Sequence, residues 1–259
     1  MELLTRIDYY LLLFIHDFFS KWDHFLTPFS KFLSFLGKDG ICLFLVAVIL
    51  MLFRRTRKIG ICVFGAIGAG AILSNIWIKD AVARPRPFET FNDIRVWWEA
   101  FGIKEYSQYS FPSGHCTAAM AFACGFGFAG ERESRYWTLL LPFSMCFARC
   151  YLLMHYPSDC IAGLCIGFAG ALVAWIITSI IYKILEHWED LPLFDFLLYW
   201  DLADTIRELG TGKEKREKKA KVKKVEEYDR EEVVETQPVV RQKKQEKTED
   251  GRTIFRAGD

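Results

Sequence analysis

The chain has 259 residues, 52% of them hydrophobic and 25% charged, and these averages combine two segments of different composition. Residues 213–259 hold 15 Lys or Arg and 12 Asp or Glu, which leaves 18 and 20 for residues 1–212. The net charge of +1 therefore combines a body at −2 with a tail at +3. Residues 59–78 and 160–182 are uncharged apolar runs long enough to cross a hydrocarbon core about 30 Å thick, which excludes a soluble globular body.

Apolar segments predict an all-α, polytopic transmembrane helix bundle. We expect five clear spans, at residues 36–53, 59–78, 111–130, 136–153 and 160–182. Residues 1–35 are apolar but interrupted, which predicts two interfacial amphipathic helices or, alternatively, a sixth span. Small residues four positions apart, as at Gly163 and Gly167, favour close packing of these helices.

The predicted organisation has four parts. Residues 1–35 form the N-terminal amphipathic helices or extra span, and residues 36–185 form the transmembrane core. Residues 186–210 are predicted to form one amphipathic helix on the membrane surface. Residues 211–259 are predicted to be a disordered, charged tail, because a segment of this composition cannot bury enough apolar surface to fold.

Basic residues indicate the orientation. They occur in alternate loops, at residues 54–58, at residues 132–135 and at Lys183, so the positive-inside rule places those loops and the tail in the cytoplasm. The loop of residues 79–110 and the turn of residues 155–159 then lie on the extracytoplasmic face. Eight of the twelve residues from Lys213 to Lys224 are basic, which predicts contact with anionic lipid headgroups. Nucleic-acid binding is not expected.

The eight cysteines lie in or beside apolar segments, without a Cys-x-x-Cys pair or any spacing typical of a metal site. This pattern indicates small core residues rather than a disulfide framework or a zinc site. No metal and no other cofactor is expected.

Three clusters of polar and charged residues lie at ends of the predicted spans, all on the extracytoplasmic face. Ionisable groups at membrane depth are costly, so each cluster needs solvent, a partner or a function. Arg149 lies inside a predicted span, where no loop accounts for its charge. The clusters are Lys79 to Pro87, Pro112 to His115, and Arg149 to Asp159.

This combination suits a phosphate. Lys79, Arg86 and Arg149 are cations, and the guanidinium fork matches phosphate oxygens. Ser113 and Gly114 stand at a predicted helix start, where free N–H groups and a hydroxyl bind anions. Arg84, beside Pro85, is expected to have a structural or rim role.

Two histidines fit two catalytic tasks. One imidazole can attack phosphorus while the other protonates the leaving oxygen. Asp159 follows His155 by four residues and is placed to accept its ring N–H, so that the other ring nitrogen is oriented for attack.

In order and spacing, the clusters resemble the signature of the type-2 phosphatidic acid phosphatase superfamily: Lys-x6-Arg-Pro, Pro-Ser-Gly-His and Ser-Arg-x5-His-x3-Asp. The resemblance implies that His155 is the nucleophile that forms a phosphohistidine, His115 the general acid and Asp159 the partner of His155. The implied phosphate pocket is Lys79, Arg86, Ser113, Gly114 and Arg149. Ala148 departs from the pattern, because the family has a serine there, and the lost hydroxyl could alter affinity or substrate choice.

The expected function is a metal-independent lipid phosphate or diphosphate phosphatase with its site facing the periplasm, in a bacterial inner membrane. Phosphatidic acid, phosphatidylglycerol phosphate, lipid A phosphates and isoprenyl carriers such as undecaprenyl diphosphate all present a suitable terminal group. Two alternatives stay open: a lipid phosphotransferase that uses the same site, and a catalytically degenerate membrane scaffold. The oligomeric state is also open.

Overall fold

The computed structural model describes residues 2–103, 109–130, 134–188, 191–209 and 211. These residues form helices and loops, without a strand among them. The chain divides into two compact units, Met1–Asp204 and Thr205–Asp259. In the second unit, residues 205–209 are helical, and the predicted lipid-binding run from Lys213 to Lys224 lies outside the described residues.

The first unit is built from helices of very different length. In chain order they are α1 (Glu2–Phe19), α2 (Asp23–Leu36), α3 (Ile41–Met51), α4 (Arg57–Ala71), α5 (Lys79–Val82), α6 (Pro87–Thr90), α7 (Asn92–Ala100), α8 (Gly114–Ala129), α9 (Ser134–Thr138), α10 (Leu140–Tyr151), α11 (Pro157–His187) and α12 (Pro192–Tyr199). A π-helical segment, Ile72–Ile78, joins α4 to α5.

The centre of the bundle is formed by α4, α8 and α11, which pack against one another. Their shared core consists of small side chains, such as the buried Ala66, Ala121 and Ala171. The outer surface of α11 exposes large apolar side chains, including Ile176 and Ile180. An apolar exterior around a core of small residues is typical of a helix bundle surrounded by lipid.

The prediction of five clear spans is not confirmed. Arg57–Thr90 and Pro157–His187 are long and apolar enough to cross a membrane, and Glu2–Leu36 with Ile41–Met51, bent by 56°, would make a third. Gly114–Ala129 is a shorter apolar helix. At about 1.5 Å per residue, the 11 residues of α3 and the 12 of α10 reach only about 17 and 18 Å.

The N-terminal segment forms two helices that pack on the bundle through specific contacts, and its placement at the membrane interface or across the membrane stays a prediction. Leu12 on α1 is completely buried. The hydroxyl of Tyr151, at the end of α10, donates to Asp23 Oδ1 on α2 at 2.6 Å. These contacts attach α1 and α2 to the end of the bundle that carries the third cluster.

The single surface helix predicted at residues 186–210 is instead interrupted at Trp200 and Asp201. Arg57 donates to the carbonyl oxygens of Leu198 and Trp200, and the N–H of Arg54 donates to Asp201 Oδ2 at 2.8 Å. A guanidinium that binds the last carbonyl groups of α12 stabilises its C-terminus there.

Close packing of α8 and α11 depends on glycine. A Cβ atom built at Gly163 would lie 2.6 Å from the carbonyl oxygen of Ser113, and one at Gly167 would collide with the carbonyl oxygen of Thr117. Backbone atoms cannot move aside as the end of a flexible side chain can. Both glycines therefore allow α11 to approach the backbone at the start of α8, and Gly163 does so at Ser113 in the second cluster.

We expect Gly167→Ala to destabilise the protein by about 1 to 3 kcal/mol, because the added methyl group must separate α11 from α8. Gly68→Ala is the matched control, since a Cβ there would meet nothing within 4 Å. The control should be neutral or stabilising by up to about 1 kcal/mol. Thermal unfolding of both variants in one detergent tests this, and equal unfolding temperatures would contradict it.

Candidate active site

All three polar clusters contribute to one cavity of about 330 Å³. The structure thus brings together side chains from α5, α8 and the segments around α6 and α10. The charged and catalytic candidates that line the cavity are Lys79, Arg86, Gly114, His115, Arg149 and His155.

The π-helical segment positions the first of the cations. Lys79 directly follows Ile72–Ile78, and its Nζ donates to Asn75 Oδ1 at 3.2 Å. Asn75 itself lines the cavity. Wider π-helical turns occur frequently at functional sites because they redirect side chains. Sequence reasoning missed Asn75; the polar pair Ser74 and Asn75 within an apolar run was the available signal.

Hydrogen bonds from both its backbone N–H and its guanidinium hold Arg86 in place. Ala83 ends α5 with a positive φ of 46°, which turns the chain toward Arg86. The N–H of Arg86 donates to Glu89 Oε2 at 2.6 Å, and its Nη1 donates to the carbonyl oxygen of Met154 at 2.8 Å. The guanidinium is thereby fixed beside His155.

The second cluster forms the start of α8. Ser113 is the N-cap residue, and its buried hydroxyl makes no hydrogen bond to another described residue. His115 Nε2 lies 3.2 Å from the carbonyl oxygen of Ser34. Because a carbonyl oxygen can only accept, Nε2 carries the hydrogen and Nδ1 is available for proton transfer.

In the third cluster, the tautomer of His155 is fixed by Ser110, a residue outside the three clusters. The Nδ1 atom of His155 lies 2.8 Å from the carbonyl oxygen of Ser110, so Nδ1 carries the hydrogen. The Nε2 lone pair is then available for attack. Two residues earlier, Leu153 adopts a positive φ of 57°, in the short loop between α10 and α11 that carries the histidine.

Asp159 does not make the hydrogen bond to His155 that the sequence predicted. Its Oδ2 lies 3.7 Å from His155 Nδ1, and the Ser110 carbonyl takes the ring N–H instead. The same Oδ2 accepts hydrogen bonds from the Ser110 hydroxyl at 2.5 Å and from the N–H of Tyr156 at 3.0 Å. Asp159 therefore holds Ser110, which in turn holds the imidazole.

Arg84 does not line the cavity but binds Asp159 through the carboxylate oxygen that the Ser110 hydroxyl does not contact. Its Nη1 donates to Asp159 Oδ1 at 2.7 Å, and its Nη2 donates to Asp8 Oδ2 on α1 at 2.8 Å. Asp8 Oδ1 also accepts from the N–H of Ser158, in the first turn of α11. All three charged groups are buried, at 7% exposure for Arg84, 0% for Asp159 and 2% for Asp8.

The cavity is suited to an anion. Among the described residues that line it, four are Lys or Arg and none is acidic. Sites for Mg²⁺ or Ca²⁺ usually contain carboxylate groups. The described side chains that line this cavity include no carboxylate. Burial, and then the positive charges of Arg149 and Arg86, lower the pKa of His155 well below its ordinary value. His155 is therefore a neutral imidazole near pH 7, as a nucleophile must be.

Residues 59–183 match the family model of the PAP2 superfamily. This matched segment belongs to that superfamily. It includes all three clusters, from Lys79 to Asp159, and the sequence resemblance is thereby confirmed. Asp8 lies outside the PAP2 segment.

Similar curated proteins are named as phosphatases. The chain is 27% identical over 194 residues to the lipid A 4'-phosphatase of Bacteroides thetaiotaomicron, covering 71% of this chain and 81% of that protein. It is 27% identical to the undecaprenyl-diphosphatase of Sulfolobus acidocaldarius and 31% identical to the lipid A 1-phosphatase of Rhizobium etli. Those matches cover 52% and 59% of this chain, and 63% of each relative. The expectation that the enzyme class is phosphatase is thereby confirmed.

Ala148, the position that departs from the family pattern, does not line the active-site cavity. It is completely buried in the apolar core, with Cys150 and Met145 in the same cluster. A hydroxyl at this position would thus lie in the core, so its replacement by a methyl group suits the local packing.

Proposed function

We propose that the chain is a metal-independent phosphatase of membrane lipid phosphates or diphosphates, acting through a phosphohistidine on His155. The observation that carries this proposal is the cavity in which two histidines of fixed tautomer stand among cations. A phosphate monoester has a charge of about −1.5 to −2 at neutral pH, which Lys79, Arg86 and Arg149 can balance.

The reaction has two steps. The first step starts with His115 as the imidazolium, protonated on Nδ1 as well as on Nε2 when the anionic phosphate is bound. His155 Nε2 attacks phosphorus and forms an N–P bond while the bond to the leaving oxygen breaks, and His115 gives that oxygen its Nδ1 proton. Water then attacks the phosphohistidine and passes a proton to His115 Nδ1, which releases inorganic phosphate, returns His155 to the neutral imidazole and returns His115 to the imidazolium. The N–H groups at the start of α8, next to Gly114, would bind phosphate oxygens throughout.

The site is placed at the extracytoplasmic face in this proposal. Five spans, with basic residues in alternate loops, would put His115 and His155 at the level of the outer headgroups and the tail in the cytoplasm. There, the lipid tails of a substrate can stay in the bilayer while its phosphate enters the cavity. The tail from Lys213 to Lys224 would attach to anionic headgroups of the inner leaflet.

For the substrate, the relatives suggest large lipids with a terminal phosphate group. Their names include lipid A phosphatases and an undecaprenyl-diphosphatase, so phosphorylated lipid A and undecaprenyl diphosphate are our first candidates. Phosphatidic acid and phosphatidylglycerol phosphate present the same group on smaller lipids and serve as comparisons.

A lipid panel assayed with purified protein in detergent tests the proposal. We expect release of inorganic phosphate from at least one of these four lipids, unchanged by EDTA and blocked by vanadate, which mimics the five-coordinate phosphorus of the transition state. Release that requires added Mg²⁺ would contradict the metal-independent mechanism. Phosphate transferred to an added alcohol, with no free phosphate, would instead identify a phosphotransferase.

A further inference from the structure

Three thiol groups, one from each of α8, α10 and α11, meet next to the catalytic residues. Cys116 follows His115 in sequence, Cys160 follows Asp159, and Cys146 lies on α10. The Sγ atoms of Cys146 and Cys116 are 3.4 Å apart, and all three Sγ atoms lie within 4.8 Å of one another. Neither step of the phosphatase reaction uses them. The three cysteines lie far apart in sequence, so their spacing does not predict this cluster.

The distances fit a shared ion. Thiolate sulfurs bound to one ion at about 2.3 Å lie about 3.8 to 4.0 Å apart in trigonal or tetrahedral geometry. To reach that spacing, the sulfurs of Cys116 and Cys146 must separate by about 0.4 to 0.6 Å, and the other pairs must close by at most about 1 Å. A disulfide would require two sulfurs to approach to about 2.05 Å and would leave the third thiol without a partner.

The donor atoms favour a soft cation. The charge of Arg149 lies near Cys116, where it would partly balance the negative charge of three bound thiolates. Cys150 Sγ lies 3.7 Å from Cys160 Sγ but is not one of the three mutually close sulfur atoms. Sulfur ligands without a carboxylate select ions such as Cu(I), Zn(II) and Cd(II).

We propose that Cys116, Cys146 and Cys160 form a binding site for a soft, thiophilic cation beside the active site. Binding releases the three thiol protons to solvent and forms three sulfur–metal bonds, with no change of oxidation state. An ion there would join the first turns of α8 and α11, which carry His115 and Asp159. Its occupancy would therefore adjust the catalytic geometry without contact with the substrate.

Cd(II) titration of the full chain in detergent, with a phosphine reductant that keeps the thiols reduced, tests the site. We expect one tightly bound Cd(II) per chain, seen as a thiolate-to-metal charge-transfer band in the ultraviolet. Cys146→Ala, at a half-buried position, should weaken binding by about 10-fold or more. Cys165→Ala removes an exposed thiol and should leave the tight site intact.

Several outcomes would overturn the proposal. One is the absence of a charge-transfer band in the wild-type protein, and another is equal Cd(II) affinity for the Cys146→Ala and Cys165→Ala variants. Intact mass without reductant supplies a third: a protein two hydrogens lighter, with the difference mapped to Cys116 and Cys146, would show a disulfide instead. None of these readouts depends on phosphatase activity.

Discussion

His155→Ala is expected to lower kcat for a lipid phosphate by about 10⁴-fold or more while the protein stays folded. Nε2 of His155 is the atom that we assign to bond phosphorus, and alanine leaves no group that can replace it. Initial rates of phosphate release measure the effect, with thermal unfolding in the same detergent as a test of folding.

His24→Ala supplies the matched control, because His24 is an exposed histidine on α2 and does not line the cavity. Its rate should equal that of the wild-type protein. A His155→Ala rate above about one hundredth of the wild-type rate would be incompatible with a nucleophilic His155.

The role of His115 can be separated from that of His155 by the leaving group. The leaving group of a nitrophenyl phosphate is the nitrophenolate ion, which departs without a proton, so His115→Ala should retain far more activity on it than on an alkyl lipid phosphate. His155→Ala should be inactive on both. If His115→Ala loses equal factors on the two substrates, His115 binds the phosphate and does not act as the general acid.

Arg84→Met is expected to reduce stability by about 3 kcal/mol or more, because Asp8 and Asp159 would remain buried without their shared cation. Arg95→Met is the matched control. Arg95 also forms an ion pair, with Glu99 at 3.1 Å, but both partners are about half exposed and should contribute at most about 1 kcal/mol. Denaturant unfolding in detergent compares the two, and similar losses would contradict the buried network.

Asp8→Asn is a milder change that tests positioning rather than folding. The amide oxygen can still accept a hydrogen bond from Ser158, but the negative charge that Arg84 binds is lost. We expect kcat to fall by about 10-fold with little change in KM, since Asp8 and Arg84 do not line the cavity. A higher KM at unchanged kcat would show instead that α1 acts on substrate binding.

Much of the site could be predicted because its residues lie in three short motifs whose types suit phosphate chemistry. Lys79, Arg86, His115, Arg149 and His155 all line the cavity. Ser110 could not be predicted, because it acts on His155 through its backbone carbonyl, which every residue possesses. Likewise, nothing in the local sequence pairs Asp8 with residues about 76 and 150 positions away.

The limits of the fold prediction have a similar origin. Hydrophobicity located the helices, as for α4 and α11, but it reports neither where a helix ends nor which helix it contacts. Breaks near Gly37 and at Trp200 depend on tertiary contacts, including the hydrogen bonds from Arg57. The prediction of five spans assumed unbroken helices, but α3 and α10 end early and are short.

Trapping of the phosphoenzyme tests the central claim most directly. Protein mixed with a ³²P-labelled lipid phosphate would be quenched in alkali, which preserves phosphohistidine, and digested for mass spectrometry. We predict alkali-stable, acid-labile phosphate on His155 and none on His115. Phosphate found on another residue, or turnover with no labelled protein at any quench time, would contradict the account.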